Sequence, residues 1–239
     1  GSDQWGNILS GVDLIRRRAG AVVHGLCWPL LTGADGTKLG KSAGARVWLD
    51  PDLTSPYAFH QHWMSTDDAD LRRMLAQFTL LPVAEIDELV AAHLEAPHRR
   101  EGQRVLAWEV TTLVHGPEAA QAAEDAARVL FGGDPREATA EALAAVAREV
   151  PTTGLAPGED LDAGVDVVPV LQRTGLVRSA SEGRRQLQQG AISVNDERVG
   201  PGAVLRSEQL LHGRWILLRR GRRSWAALDL AAPVASAEG

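Results

Sequence analysis

The chain has 239 residues, 44% of them hydrophobic and 23% charged, with a formal net charge of −6; this is the composition of an ordinary folded protein and excludes a disordered or fibrous one. Its single cysteine, Cys27, excludes an intrachain disulfide, and no apolar run reaches the roughly 18–20 residues that a membrane span needs, so a soluble chain of a reducing compartment is expected. The acidic total argues against a nucleic-acid partner until it is divided along the chain: residues 101–150 hold nine acids against four arginines, residues 167–230 eleven arginines against five acids. That asymmetry is compatible with RNA binding at the C-terminal end.

In chain order, Ile8, Leu9, Val12 and Ile15 recur at helical spacing before Arg16-Arg17-Arg18, predicting an amphipathic helix over 8–18. No charged-then-apolar leader follows Gly1, so no secretory signal is expected. The apolar run 21–31, with Pro29 inside it, reads as a strand entering a loop, and Cys27 within it as a buried small side chain. Residues 32–44 are a glycine-rich loop, followed by a short buried stretch, Val47-Trp48-Leu49. From Ser65 the pattern turns helical: Ser65 and Asp68 are spaced as a capping pair, Pro82 suits a second helix start, and Gly116-Pro117 ends a third helix. Alanine-rich helices over 117–131 and 136–150 complete a helical domain over 65–150. Residues 151–166 have linker composition. An α-then-β unit follows over 167–230: helices near 167–173 and 179–190, a turn at Asn195-Asp196, and a hairpin from Trp215–Arg219 to Ser224–Leu228. Residues 231–239 read as a disordered tail.

Of the 25 basic residues only Lys38 and Lys41 are lysines, three apart in Asp35-Gly36-Thr37-Lys38-Leu39-Gly40-Lys41-Ser42. Glycines let the backbone approach a ligand, and the lysines place two mobile point charges where phosphate charge develops. At an effective dielectric near 20, a lysine about 4 Å from a phosphate charge contributes about 4 kcal/mol. The spacing is not that of a Walker loop. On spacing alone a solvated surface loop stands equally open.

Lys38-Leu39-Gly40-Lys41-Ser42 resembles the KMSKS signature of class I aminoacyl-tRNA synthetases, with Leu for Met and Gly for the first Ser. Gly1-Ser2-Asp3-Gln4-Trp5-Gly6-Asn7 is similar to the GSDQWGN segment of bacterial-type tyrosyl-tRNA synthetases. Thr54-Ser55-Pro56-Tyr57 with His60-Gln61 and Trp63 resembles that family's next segment, and residues 179–199 resemble the ribosomal-protein-S-four type of RNA-binding module. The resemblance covers essentially the whole chain, in the family's order.

It implies a multi-domain α/β, all-α and α+β chain: 1–64 as the end of a Rossmann-like catalytic domain, 65–150 as a helical anticodon-side domain, and 167–230 as an S-four-type domain. It implies a tyrosine–tRNA ligase that makes tyrosyl-adenylate from tyrosine and ATP, with magnesium entering with ATP and no tightly bound cofactor, and then charges tyrosine tRNA. The resemblance gives Lys38 and Lys41 the β- and γ-phosphates, and Gly1, Asp3 and Ser42 the ATP. Gln4 falls to the tyrosine; for Asp3 and Asn7, helix capping is the plain alternative. A cytoplasmic homodimer is implied. No His-x-Gly-His of the family's HIGH type occurs. The expectation is therefore a C-terminal part lacking the HIGH-motif half and inactive alone in tyrosine activation. The rival is a stand-alone RNA-binding chain, which a tyrosine-dependent ATP–pyrophosphate exchange signal would exclude.

Within 167–230, Arg178, Arg184 and Arg185 with Gln188 and Gln189 cluster about one helix, and Arg219, Arg220, Arg222 and Arg223 crowd one turn. Arginines so placed suit phosphates and unpaired bases, against the alternative of a solvated basic face. His60 and His62 lack a third ligand at metal spacing, so no metal site is expected and a packed role is read for them.

Overall fold

Residues 4–27 and 47–235 are described by the computed structural model, which separates into two units: residues 1–46 with 67–70, and residues 47–66 with 71–239. In the first, helix α1 (Trp5–Ala19) starts earlier than its apolar spacing predicts and ends at Gly20, whose φ of +63° returns its N–H to Arg16 O at 3.1 Å. Asp13 pairs with Arg16 at 2.9 Å and Arg17 at 2.8 Å on the same helix. The strand expected over 21–31 does not form in its described part: residues 21–27 are irregular and Cys27 is half-buried. Gly25 lies so close to Ile8 that a Cβ would meet Ile8 Cγ2 at 2.5 Å, so the chain here packs on α1 instead of pairing as a strand.

The second unit opens with a correction. Of Val47-Trp48-Leu49 only Val47 packs against the core, half-buried; Trp48 is 46% and Leu49 68% exposed, in a turn closed by the Trp48 N–H donating to Thr54 Oγ1 at 2.9 Å. Ser55 then caps α2 (Pro56–Met64), its Oγ accepting from Ala58 N at 3.0 Å with Pro56 in the first turn. The helical region thus begins at residue 56, not 65. Ser65, expected to cap the following helix, instead closes α2 by donating to His62 O at 2.6 Å. Then come α3 (Asp68–Phe78), α4 (Val83–Glu95), α5 (Glu101–His115), α6 (Pro117–Leu130) and α7 (Ala140–Glu149). Phe59 of α2 packs with Leu71, Met74, Leu75, Ile86, Leu106 and Val110 in one core.

Helix α2 also carries a buried, acid-sensitive group. His60 is 3% exposed, its Nδ1 has no hydrogen-bond partner, and burial lowers its pKa from 6.5 to about 4. The unfolded chain therefore takes up this proton below its ordinary value, while the folded chain resists it until about 4. Stability is present in full above 6.5 and falls as pH drops toward 4, by on the order of 3 kcal/mol at about 1.4 kcal/mol per pH unit. Urea midpoints between pH 7 and 4.5 should show this loss in the wild type and a smaller one in His60→Asn; equal slopes would remove His60 from the account.

After α7 the chain builds β1 (Thr152–Thr153), β2 (Val165–Asp166), α8 (Val167–Arg173), α9 (Ala180–Gln188), β3 (Ile192–Val194), β4 (Glu197–Arg198), β5 (Val204–Leu205), β6 (Trp215–Arg220) and β7 (Ser224–Asp229). The five-stranded sheet runs β1-β7-β6-β3-β4, with β1 parallel to β7 and the other pairs antiparallel; β2 and β5 form a separate pair. Asn195 and Asp196, at φ +46° and +71°, make the two-residue β3–β4 turn. Alternation along β6 and β7 sends Ile216, Leu218, Ala226 and Leu228 toward α8 and α9. It sends Trp215, Leu217, Trp225 and Ala227 toward Ala126, Val129, Leu143 and Val146 of α6 and α7. Both sheet faces are buried, and the helical region and the α+β module share a core.

Residues 151–166 are consequently not a free linker. Leu161 and Val165 enter the module core, and Arg173 of α8 grips Glu159 with two bonds at 2.9 and 2.7 Å. The tail is held as far as it is described: Gly154 N–H donates to Pro233 O at 2.9 Å and Ala235 N–H to Thr153 Oγ1 at 3.1 Å.

Candidate nucleic-acid interface

Gly1, Asp3, Lys38, Lys41 and Ser42 lie outside the described residues. Gln4 is described: it precedes the first turn of α1, and its Oε1 accepts from Asn7 Nδ2 at 3.1 Å.

The arginines of the C-terminal module are all described, and they divide into two groups. Arg178, Arg184 and Arg185 are exposed at the start and on the outer face of α9, with Gln188 and Gln189 exposed at its end. Ser179 caps α9, its Oγ accepting from Glu182 N at 3.2 Å. The return bond is not that of a capping box: Glu182 Oε2 accepts from Arg178 N at 2.8 Å, one residue before the cap. Arg222 and Arg223 stand exposed in the β6–β7 turn, and no ion pair engages either, or any of the three α9 arginines, among the described residues.

Arg219 and Arg220 are engaged internally. Arg219 pairs with Asp196, lies 4.9 Å above the Trp225 ring, and has a side chain only 19% exposed. Arg220 donates to Glu182 Oε1 at 3.1 Å. That bond ties β6 to α9, while Gly221 N–H donates to Ala191 O at 2.9 Å, so the turn arginines stand beside the exit of α9.

A cleft of about 710 Å³ opens where the turn meets the helices, lined among others by Tyr57 of α2, Phe131 after α6, Glu149 of α7, Arg222, Arg223 and Trp225. Phe131 is 79% exposed. Glu149 accepts a hydrogen bond from Ser55 Oγ, and burial, then the nearby Glu149, push the Tyr57 phenol up. Sequence reasoning assigned no role to Phe131 or Glu149 and quoted Tyr57 only within a family segment; only the docking of the module on α6 and α7 brings them to the arginines. Among the described residues, no cluster of His, Cys, Asp and Glu could hold a metal ion, and no helix is long and apolar enough to cross a membrane.

Residues 1–132 match the family model described as tRNA synthetases class I (W and Y). The chain belongs to this family. Residues 142–228, from α7 to β7, match a second model, the tyrosine–tRNA ligase SYY-like C-terminal domain. Among curated relatives, the tyrosine–tRNA ligase of Kineococcus radiotolerans is 48% identical over 98% of this chain and 54% of its own length. That of Mycobacterium tuberculosis is 46% identical over 96% of this chain and 54% of its own. A C-terminally truncated mitochondrial tyrosyl-tRNA synthetase of Coccidioides posadasii, known as a crystal structure, matches 52% of this chain and 37% of its own at 36% identity, with a TM-score of 0.43. The chain spans about half the length of the curated relatives it matches.

In this class I synthetase chain, the described surface can do two things chemically. Five exposed guanidinium groups that enter no salt bridge among the described residues can neutralise phosphates, and an exposed aromatic ring lining a cleft with two of them can carry a nucleobase.

Proposed function

We propose that this chain serves tyrosine–tRNA ligation, and that its helical region and C-terminal module form the surface that holds the tRNA. The observation that carries the reading is the group of five exposed arginines that enter no salt bridge among the described residues, two of which share a cleft with an exposed phenylalanine. Arg178, Arg184, Arg185, Arg222 and Arg223 take phosphates, with Gln189 adding a hydrogen-bonding group, Arg220 acting while tethered, and Arg219 chiefly bracing the hairpin. In domain terms the reading keeps a Rossmann-like end, a helical anticodon-side region and an S-four-type module.

For the chemical step, Lys38 and Lys41 stabilise the β- and γ-phosphates as tyrosine attacks the α-phosphorus of ATP. Gly1, Asp3 and Ser42 hold the nucleotide and Gln4 faces the tyrosine. The support is the family membership and the match of these residues to its motifs. Magnesium enters as part of the ATP complex, and no residue of the chain is assigned to it. A cytoplasmic homodimer belongs to the same reading, on the same support.

The test is tRNA affinity as a function of salt. With six phosphates neutralised, five by the exposed arginines and one by Arg220, log affinity should fall against log salt with a slope between about −4.2 and −5.4. A slope near zero, or no binding at low salt, removes the reading. Within the cleft, Phe131→Ala should cost about 1–3 kcal/mol of binding if a base stacks on the ring, with little loss of stability since the ring is 79% exposed. Unchanged affinity in a binding titration would take Phe131 out of the interface.

A further inference from the structure

We infer that Glu182 is a positioning residue for RNA binding, its one carboxylate fixing Arg178 and Arg220 so that, with Arg185, they meet phosphate as a set; the inference rests on the RNA-binding reading above. A carboxylate amid guanidinium groups that face phosphate is unfavourable by charge alone, so its place there calls for a structural use. Its two oxygens do different work. Oε2 accepts the Arg178 N–H at 2.8 Å and pins the entry to α9, while Oε1 accepts Arg220 Nη1 at 3.1 Å from the neighbouring strand. Its own N–H donates to Ser179 Oγ at 3.2 Å, which fixes the backbone that carries it.

The side chain of Glu182 is 21% exposed and that of Arg220 36%, so Arg220 is held yet keeps donors open to solvent. Arg185 follows Glu182 at i+3, on the same helix face. The Arg178 N–H, then, against the opposing effect of desolvation, the charges of Arg220, Arg185 and Arg178 hold the Glu182 carboxyl below the usual range, as expected for a carboxylate bonded to one cation with two more nearby. Without it, the like charges of Arg178, Arg185 and Arg220 repel and the Arg220 side chain regains its rotamer freedom, an ordering that must be regained when RNA binds.

The decisive variant is Glu182→Gln. The amide oxygen still accepts the Arg178 N–H, but its NH2 faces Arg220 donor to donor, so the tether alone is lost. Removing a negative charge should tighten RNA binding if only the field mattered. The inference predicts the reverse: tRNA binding about 5- to 8-fold weaker at 0.1 M salt, with the salt slope smaller by about 0.7–0.9, one phosphate contact's worth. Glu208→Gln, which neutralises another exposed acid of the module, should leave binding equal or tighter. Arg220→Gln should weaken binding as much as Glu182→Gln, and the double variant should be no worse than Arg220→Gln alone. Binding by Glu182→Gln as tight as wild type with an unchanged slope, or an additive double variant, overturns the inference while the RNA-binding reading stands. A wild type that binds no tRNA removes both.

Discussion

Replacing Arg222 and Arg223 together by alanine is expected to weaken tRNA binding on the order of 25- to 60-fold at 0.1 M salt. Each neutralised phosphate adds about 0.7–0.9 to the log–log salt slope, and so that many decades of affinity between 1 M and 0.1 M salt. Both side chains are exposed and neither belongs to an ion pair among the described residues, so the loss should appear in binding and not in the melting temperature. The slope should flatten by about 1.4–1.8. Arg219→Ala is the contrast: its guanidinium pairs with Asp196 and lies over Trp225, so its removal should act mainly on stability. Filter binding across a salt series measures affinity and slope, and thermal melting measures stability. Equal losses of affinity for Arg219→Ala and for the turn pair would contradict the division of the arginines made above.

Trp225→Ala should have the largest effect on the fold, a loss of about 3–5 kcal/mol. The side chain is 5% exposed and belongs to the core shared by the sheet and by α6 and α7. Its Nε1 donates to Leu130 O at 3.1 Å, a carbonyl at the end of α6 with no further turn to satisfy it. Truncation leaves a cavity, an unpaired carbonyl and a freed Arg219. Because this seam joins the two regions, its weakening should also split a single unfolding transition into two. Urea unfolding followed by far-ultraviolet circular dichroism tests this. A single transition shifted by less than about 1 kcal/mol would mean that Trp225 does not join them.

How much of this was legible in the sequence follows from how local each feature is. The β6–β7 hairpin and the Asn195-Asp196 turn were readable because two apolar runs flanking an arginine–glycine turn, and turn chemistry, act over a few residues. Residues 151–166 were misread because their proline, glycine and acids are typical of linkers. The contacts that order them, β1 beside β7 and Glu159 with Arg173, are made with partners elsewhere in the chain. The burial of both sheet faces was implicit in the unbroken run Trp215-Ile216-Leu217-Leu218, which does not alternate with polar residues. Nothing local says that Ala126, Val129, Leu143 and Val146 cover it. The same limit hid the cleft, whose Tyr57, Phe131 and Arg223 lie far apart in sequence. Ion pairing was equally invisible: composition counts Arg219 and Arg222 alike, and only geometry shows one held by Asp196 and the other free of a carboxylate. The lysine loop carried chemistry only through its likeness to a family motif.

The central claim, that this surface holds tRNA in the service of tyrosine ligation, is tested most directly by capture of total cellular tRNA on the purified chain at low salt, with sequencing of what is retained. The account predicts retention with tyrosine tRNA enriched, released as salt is raised. A column that retains no tRNA, or a mixture in cellular proportions, contradicts it.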